Sequence, residues 1–336
     1  MSDILVTGAA GFIGYHTVSR LCGAGADVVG IDNFDPYYDP SLKRARLASI
    51  RAKNFQFLEC DVRDRDRTLA LSRSIRPHTI VHLAAQAGVR YSVAHPQRYI
   101  DTNVTGFLNV LDAARECGAK QLIYASSSSV YGETMGEACA ERADTSRPVS
   151  MYAATKKMNE SMAHVYSHLH GLATTGLRLF TVYGPWGRPD MAPSLFANAI
   201  WEGRAISVFN RGQMRRDFTY ASDVAEAFLR VALRTPIEGR ASLYNVGSQR
   251  PVRLLDFIDR LGRALNRTPI LEMHPMQPGD VAQTASDCSA FEHDYGYAPT
   301  TSIDTGVQRF ADWFRDYAGA TSSPIAAPAY RTAHSS

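Results

Sequence analysis

A glycine-rich turn near the start of the chain sets the tightest limit on what this sequence can fold into. Gly8, Gly11 and Gly14 lie between an apolar run, DILVTGA, and a helical pattern, GFIGYHTVSRLCGAG. Glycines at such a turn let the backbone bend tightly and approach a pyrophosphate group. The helix that follows offers free N–H groups and the positive end of its dipole to the phosphates. The turn therefore predicts a dinucleotide site that includes Gly8, Ala10, Gly11, Phe12, Ile13 and Gly14.

Short apolar runs alternate with helical patterns through the first half of the chain. Further strands are predicted for DVVGID, FQFLECDV, TIVHLAA, QLIYASSSS and ATTGLRLFTVYG, with helices near 64–75, 97–117 and 151–170. This alternation favours a parallel sheet with helices on both faces. The strands are apolar almost throughout, as expected when both faces are covered. We predict an α/β fold, a Rossmann-type doubly wound parallel sheet with a smaller mixed α/β C-terminal lobe for the substrate.

The second predicted strand ends at Asp32, about 20 residues beyond the glycine turn. An acidic residue at this place usually accepts a hydrogen bond from the 2′-hydroxyl of the adenosine ribose. A carboxylate would repel a 2′-phosphate, so NAD is favoured over NADP. Asn33 follows directly and is expected to assist. We predict an NAD-binding Rossmann domain over 1–183, a substrate lobe interleaved with it over 184–317, and a disordered tail, rich in Ala, Ser and Pro, over 318–336.

Composition excludes several other classes of protein. The 336 residues carry a net charge of +3, which is too mild to make nucleic acid the main partner. No run of about 18 apolar residues suggests a membrane span, and the N-terminus lacks the basic segment of a signal peptide. Five scattered cysteines without a C-x-x-C pair favour neither a zinc site nor disulfides, so a cytoplasmic location is expected. The histidines show no metal-binding spacing, and no metal is expected.

The segment SMYAATKK places Tyr152 and Lys156 one turn apart on one face of a predicted helix. Taken alone, the pair is weak evidence, because the tyrosine could simply pack and the lysine could be solvated. A tyrosine with a pKa of about 10 is a poor base at neutral pH, but a nearby cation stabilises its phenolate. Ser127 lies in YASSSSVYG, which ends the fifth strand, where ligands of such sheets bind. Together with the dinucleotide fold, these three residues predict a catalytic site.

Several stretches resemble one family. They are DNFDPYYDPSLKRARL, HLAAQAGVRYS, YAATKK, LRLFTVYGPWGRPDMA, RRDFTYASDV and MQPGD, and the resemblance covers roughly residues 3 to 316. The glycine spacing and these motifs are similar to those of the extended short-chain dehydrogenase/reductases of the NAD-dependent epimerase/dehydratase family. Within that family, the chain most resembles the 4-epimerases that act on UDP-glucuronate.

The resemblance implies an enzyme that interconverts UDP-glucuronate and UDP-galacturonate. Tightly bound NAD would oxidise C4, the 4-keto sugar would rotate, and hydride would return to its other face. Tyr152 would act as acid and base, Lys156 would lower its pKa and bind the nicotinamide ribose, and Ser127 would orient the proton. The family also implies a homodimer formed through the helices near 97–117 and 151–170.

The resemblance assigns further binding residues. Those expected beside the adenine, pyrophosphate and ribose are Asp61, Val62, Leu83, Ala84 and Ala85. Those expected around the UDP-sugar are Arg90, which lines the sugar pocket, Phe180, which caps the sugar, Arg216, which contacts the diphosphate, and Asp280, which bonds the uridine side. Phe209 is predicted from its residue type, because an aromatic ring beside an arginine cluster can stack on the base.

Two positions bear on the reaction and the sugar. The related 4,6-dehydratases and decarboxylases carry Glu just before V-Y-G, where this chain has Ser129, so elimination and decarboxylation are not expected. UDP-galactose 4-epimerases usually carry Asn at the position of Thr181. A buried sugar carboxylate needs hydrogen bonds or a charge partner, and our predicted partners are Ser128, Thr181 and Arg188. Arg188 could instead be a surface residue of its Pro-Gly loop.

Other functions stay open at this stage. A UDP-glucose 4-epimerase, or an enzyme that accepts both sugars, would use the same catalytic residues. An NAD-binding regulatory protein that has lost catalysis is the non-enzyme alternative. Such proteins often lose the tyrosine or the lysine, and this chain keeps both.

Overall fold

The computed structural model describes residues 4–132, 138–276 and 282–321. Its strands are β1 (Ile4–Thr7), β2 (Val28–Asp32), β3 (Phe55–Glu59), β4 (Thr79–His82), β5 (Gln121–Ser127), β6 (Ala173–Leu179), β7 (Thr181–Tyr183), β8 (Ala205–Val208), β9 (Arg215–Arg216), β10 (Phe218–Tyr220), β11 (Ala241–Val246), β12 (Val252–Arg253) and β13 (Ile270–Met273). Its helices are α1 (Phe12–Gly23), α2 (Pro40–Ser49), α3 (Arg65–Ile75), α4 (Val89–Ala94), α5 (Pro96–Tyr99), α6 (Gly106–Cys117), α7 (Met151–His170), α8 (Ala192–Glu202), α9 (Ala221–Leu233), α10 (Leu254–Ala264), α11 (Ser289–Tyr295) and α12 (Ile303–Thr321).

Seven strands form one parallel sheet in the order β11-β6-β5-β4-β1-β2-β3. The order reverses between β1 and β4, and ligands of open α/β sheets bind at the carboxyl ends of strands beside such a reversal. The remaining strands make three small pairs, β7 with β10, β9 with β12, and β8 with β13. The predicted doubly wound α/β fold with a mixed C-terminal region is confirmed.

Alternation along the strands sends side chains into separate cores on the two faces of the sheet. In β1, Val6 packs with residues of α1 and α9, whereas the preceding Leu5 packs with residues of α6. A third core, around Phe257 and Phe314, holds α8, α10 and α12 together. Both α9 and β11 lie beyond residue 183 in sequence yet belong to the layers of the main sheet. The proposed boundary at residue 183 stays a prediction.

The C-terminal part of the chain is described as far as Thr321. Helix α12 continues to Thr321, so it includes the first residues of the predicted tail, and the rest of that tail, 322–336, falls outside the described residues. Across the three described ranges, no helix combines the length and apolar character needed to span a membrane.

Local signals fix the bounds of the helix that carries Tyr152. Ser150 caps α7, since its hydroxyl accepts a hydrogen bond from the Ala153 N–H at 3.1 Å. Gly171 ends the helix in a left-handed conformation, with φ of +69°. The helix therefore spans the range predicted for it.

A buried ion pair ties α7 to the sheet. Arg178 of β6 donates to both carboxylate oxygens of Glu160 of α7, at 2.8 and 2.9 Å, and each side chain is only 2% exposed. The Ser126 hydroxyl of β5 donates to the same carboxylate at 2.7 Å. Arg178 also donates to the Tyr131 hydroxyl at 3.0 Å. The Glu160 carboxylate thus joins helix α7 to strands β5 and β6 near their carboxyl ends.

We expect Arg178→Met to lower the free energy of unfolding by about 3 kcal/mol or more, because it leaves the Glu160 carboxylate buried without its main partner. Lys157 is a weak substitute, since its Nζ lies 3.6 Å away and its side chain is 37% exposed. Urea denaturation followed by circular dichroism measures the loss. Arg20→Met is the matched control, because its ion pair with Glu226 lies at the surface and should contribute about 1 kcal/mol or less. Equal losses in the two variants would contradict a central role for the buried pair.

Candidate active site

A cleft runs along the carboxyl ends of the parallel strands, at the reversal of strand order. It brings together most of the residues predicted from sequence. Those that line it are Gly8, Gly11, Phe12, Ile13, Gly14, Asp32, Asn33, Asp61, Val62, Leu83, Ala84, Ala85, Ser127, Ser128, Tyr152, Lys156, Phe180, Thr181 and Arg188.

Four predicted residues lie outside the lining of this cleft, and a fifth is not described. Ala10 is fully buried, and its carbonyl accepts a hydrogen bond from Arg46, so it supports the turn and does not face the cleft. Arg90 and Phe209 contact each other, with the guanidinium 5.7 Å from the ring centre. Arg216 lies in β9 and donates to the Ala282 carbonyl at 3.3 Å. Asp280 lies outside the described residues.

The glycine turn has room for backbone alone. A Cβ on Gly8, whose φ is +72°, would lie 2.6 Å from the Ala84 nitrogen, and a Cβ on Gly14 would lie 2.0 Å from the Gly8 carbonyl oxygen. Larger residues would therefore push α1 away from β1 and β4. A turn this close to the start of α1 presents backbone to the cleft, which fits the pyrophosphate of a dinucleotide.

The predicted adenosine end contains two acidic residues with different partners. Asp32 is buried, and its carboxylate accepts a hydrogen bond from the Phe34 N–H at 2.9 Å. It also forms an ion pair with Lys43, whose Nζ lies 3.4 Å away. Asn33, expected to assist Asp32, instead donates to Asp61 at 2.9 Å. Lys43 was not among the site residues predicted from sequence. Its position in SLKRARL, within a stretch that supported the resemblance, was the available signal.

The catalytic residues predicted from sequence meet at the end of β5. Lys156 is buried and donates to the Ala125 carbonyl at 2.8 Å, which turns its charge toward the strand end. Burial lowers the pKa of Lys156 to about 8. Burial raises the pKa of Tyr152, and a hydrogen bond with Ser127 and the charge of Arg188 oppose that rise. The tyrosine hydroxyl therefore lies beside the serine, as the predicted proton chemistry requires.

Arg188 lies in the cleft and is not a surface residue, since its side chain is 18% exposed. It forms an ion pair with Asp190, with Nε 3.0 Å from the carboxylate, and Tyr37 donates to the same carboxylate at 3.0 Å. Burial would raise the pKa of Asp190, but Arg188 and Tyr37 hold it below its usual value. A bound anion would meet an arginine whose charge is already balanced. The pairing of Arg188 with Asp190 was not predicted from sequence.

Every carboxylate that lines the described cleft has a cationic partner. The pairs are Asp32 with Lys43, Asp35 with Arg98, Asp61 with Arg63 and Asp190 with Arg188. Among the lysines and arginines that line the cleft within the described ranges, Lys156 is the one without a carboxylate partner. Its charge is therefore available to a neighbouring phenolate.

A neutral histidine lies behind this lysine. His82 is buried at the end of β4, with Nδ1 2.8 Å from the Thr7 hydroxyl. Burial, together with the charge of Lys156, lowers its pKa to about 3. His82 thus stays uncharged at neutral pH and adds no second positive charge beside Lys156. No group of three or more His, Cys, Asp or Glu side chains in the described parts of the chain is arranged to hold a metal ion.

Comparison with known families gives the assignment. The model of the NAD dependent epimerase/dehydratase family matches residues 4–247. The chain belongs to this family. NAD, predicted from the glycine turn and Asp32, is therefore confirmed as its cofactor, and the backbone turn and buried acidic residue described above fit it.

Individual relatives are similar over nearly the whole chain. UDP-glucuronate 4-epimerase 4 of Arabidopsis thaliana is 41% identical over 330 residues, which cover 94% of this chain and 75% of the relative. The crystal structure of UDP-glucuronic acid 4-epimerase from Bacillus cereus, in complex with UDP-glucuronic acid and NAD, has a TM-score of 0.86 at 32% identity and covers 94% of this chain and 99% of that one. The crystal structure of UDP-glucose 4-epimerase from Thermus thermophilus, in complex with NAD, has a TM-score of 0.81 at 30% identity. It covers 93% of this chain and 99% of that one.

Proposed function

We propose that this protein is a UDP-glucuronate 4-epimerase, which interconverts UDP-glucuronate and UDP-galacturonate. The observation that carries the proposal is the meeting of Tyr152, Ser127 and Lys156 in the cleft that also contains Thr181 and Arg188. The similarity to relatives named for this activity supports it.

In this proposal the glycine turn and Asp32 would hold NAD, which would supply reversible hydride transfer at C4 of the sugar. Tyr152 accepts the proton of the 4-hydroxyl and returns it after the sugar has turned. Because burial raises the pKa of Tyr152, its phenolate needs a positive charge nearby. Lys156 supplies it, and a cation about 4 Å away is worth about 4 kcal/mol at an effective dielectric constant of about 20. Ser127 donates to the sugar oxygen and holds it in line with Tyr152.

Epimerisation without elimination follows from the charges in the cleft. Related dehydratases and decarboxylases use a carboxyl group that is placed just before V-Y-G, and here Ser129 stands at that position. The four carboxylates that line the described cleft are each paired with a cation. This pairing disfavours a role for any of them as an extra acid or base on a 4-keto sugar.

We propose that Ser128, Thr181 and Arg188 hold the sugar carboxylate. All three line the cleft: Ser128 directly follows β5, Thr181 begins β7, and Arg188 lies in the loop after β7. A 4-keto uronate is a β-keto acid that loses carbon dioxide readily, so hydrogen bonds that fix its carboxylate would also suppress this loss. Arg188 is already paired with Asp190, so a neutral hexose would chiefly leave the Ser128 and Thr181 hydroxyls without their carboxylate partner. Sites built to hydrogen-bond a substrate group discriminate strongly against analogues that lack it.

The uridine diphosphate part of the substrate is proposed to lie against the lobe formed by 184–317. The apolar core around Phe257 and Phe314 lies mainly in this lobe, and Tyr38, Leu42 and Tyr183 join it to the first domain. Arg90, Phe209 and Arg216 remain proposed contacts of the nucleotide or sugar.

We also propose a cytoplasmic location, because the five cysteines are free thiols.

Incubation with UDP-glucuronate and, separately, with UDP-glucose tests the proposed function, with products identified by NMR. We expect UDP-galacturonate from the first and at least about 100-fold slower conversion of the second, because the polar groups would lack their carboxylate. Tyr152→Phe should abolish turnover, and Tyr166→Phe, on the same helix but outside the cleft lining, should not. UDP-galactose from UDP-glucose, with UDP-glucuronate unchanged, would overturn the proposed substrate. A UDP-pentose as main product would overturn the proposed reaction.

We propose that the protein forms a homodimer through α6 and α7. The outer face of α7 exposes Met158, Val165 and Leu169, which are 46, 46 and 64% exposed, and α6 adds Leu108 at 40%. Spacings of seven and four residues place the three α7 side chains along one stripe. Two copies related by a twofold axis would bury the stripe against itself.

Sedimentation equilibrium tests this assembly. The wild-type protein should have about twice the mass of the chain, and Leu169→Glu should shift it toward the monomer, because it places a charge within the apolar stripe. Leu233→Glu is the control, since Leu233 is 55% exposed but lies at the end of α9. A monomeric wild type, or equal dissociation by both substitutions, would contradict the proposed interface.

A further inference from the structure

Lys43 is a buried cation inside the cofactor cleft. It belongs to α2, its side chain is 10% exposed, and its Nζ lies 3.4 Å from the carboxylate of Asp32, which is 6% exposed. Asp32 is the one carboxylate within ion-pair distance of Lys43 in the described parts of the chain. The residue that the sequence analysis identified as the barrier to a 2′-phosphate is therefore half of a charge pair.

Helix α2 is held in place, so Lys43 cannot easily move away from this pair. Asp39 caps the helix by accepting a hydrogen bond from the Ser41 N–H at 2.8 Å, and Pro40 occupies its first position. One turn after Lys43, the fully buried Arg46 donates to the Ala10 carbonyl of the glycine turn at 3.0 Å. The same guanidinium donates to the Trp186 carbonyl at 2.8 Å. Lys43 is thus presented to the cleft from a fixed element.

Because Lys43 neutralises part of the charge of Asp32, the strength with which Asp32 repels the 2′-phosphate of NADP depends on Lys43. A paired carboxylate repels a phosphate less than a bare one. If the carboxylate were removed, the buried ammonium would be left without a counter-ion, which is costly. An incoming phosphate could supply the missing negative charge.

We propose that Lys43 and Asp32 together determine the choice between NAD and NADP, and that Lys43 is a latent binding group for a 2′-phosphate. In the wild type, Lys43 forms an ion pair with Asp32 and is not available to bind a phosphate. Without that carboxylate, Lys43 pairs with the 2′-phosphate of NADP. This inference concerns the cofactor site and does not depend on which sugar the enzyme converts.

A double-mutant cycle tests the inference through the identity of the bound dinucleotide, without an activity assay. Wild type, Asp32→Asn, Lys43→Met and the double variant are each incubated with an equimolar excess of NAD and NADP until the bound composition is constant. Gel filtration removes free dinucleotide, and acid or alkaline denaturation releases the bound fraction for quantitation by mass spectrometry. Asp32→Ser is carried in parallel, in case the amide disturbs the site.

We expect Asp32→Asn to raise the bound ratio of NADP to NAD at least tenfold, and the added Lys43→Met substitution to reverse at least tenfold of that gain. Lys43→Met alone should not raise the ratio, because it leaves the Asp32 carboxylate bare. Lys43→Arg in the Asp32→Asn background should keep the gain. Lys120→Met, which removes an exposed lysine outside the cleft lining, should leave the ratio as in the wild type.

Equal ratios in the Asp32→Asn protein and the double variant would overturn the inference, as would an unchanged ratio in both Asp32→Asn and Asp32→Ser. Circular dichroism of each variant shows that it is folded. The NMR assay of sugar products is read separately, so a wrong substrate assignment and a wrong role for Lys43 give different results.

Discussion

The buried ion pair of Glu160 and Arg178 is the contact on which the geometry of the cleft depends. Glu160 lies one turn beyond Lys156 on α7, and Arg178 lies near the end of β6, directly before the segment that carries Thr181. Ser126 of β5 donates to the same carboxylate, next to Ser127. This one charge pair therefore fixes α7, which carries Tyr152, to the end of β5 at Ser127 and to β6, which leads into Thr181.

Charge pairing also fits a cleft that holds a dinucleotide together with the charged sugar that we propose. Each carboxylate that lines its described part has a cation, and two of its three lysine and arginine side chains are used in such pairs. Lys156 remains, hydrogen-bonded to the neutral Ala125 carbonyl, with its pKa lowered by burial to about 8. In the proposed mechanism Lys156 stabilises the Tyr152 phenolate, and it adds to the charge of Arg188, which already opposes the rise in the pKa of Tyr152 that burial causes.

Local patterns were sufficient to predict the fold and much of the site. The glycine turn, Asp32 and the 151–170 helix each depend on residues close together in sequence, and the structure has them where they were predicted. The pattern near 97–117 was predicted as one helix, but a π-helical segment, Ile100–Thr105, interrupts it between α5 and α6. The pairing of Tyr37 with Asp190 joins residues 153 positions apart, and sequence alone does not show which charges meet. The same limit hid Lys43 and the balance of charge on Arg188.

Oxidation and reduction at one sugar carbon can be tested with an isotope. UDP-glucuronate that carries deuterium at C4 is incubated with the wild-type protein in ordinary water, and the UDP-galacturonate formed is analysed by NMR and mass spectrometry. Because the hydride is taken from C4 and given back within the same cleft, the product is predicted to keep its deuterium at C4. Formation of UDP-galacturonate with hydrogen from water at C4 would contradict the mechanism.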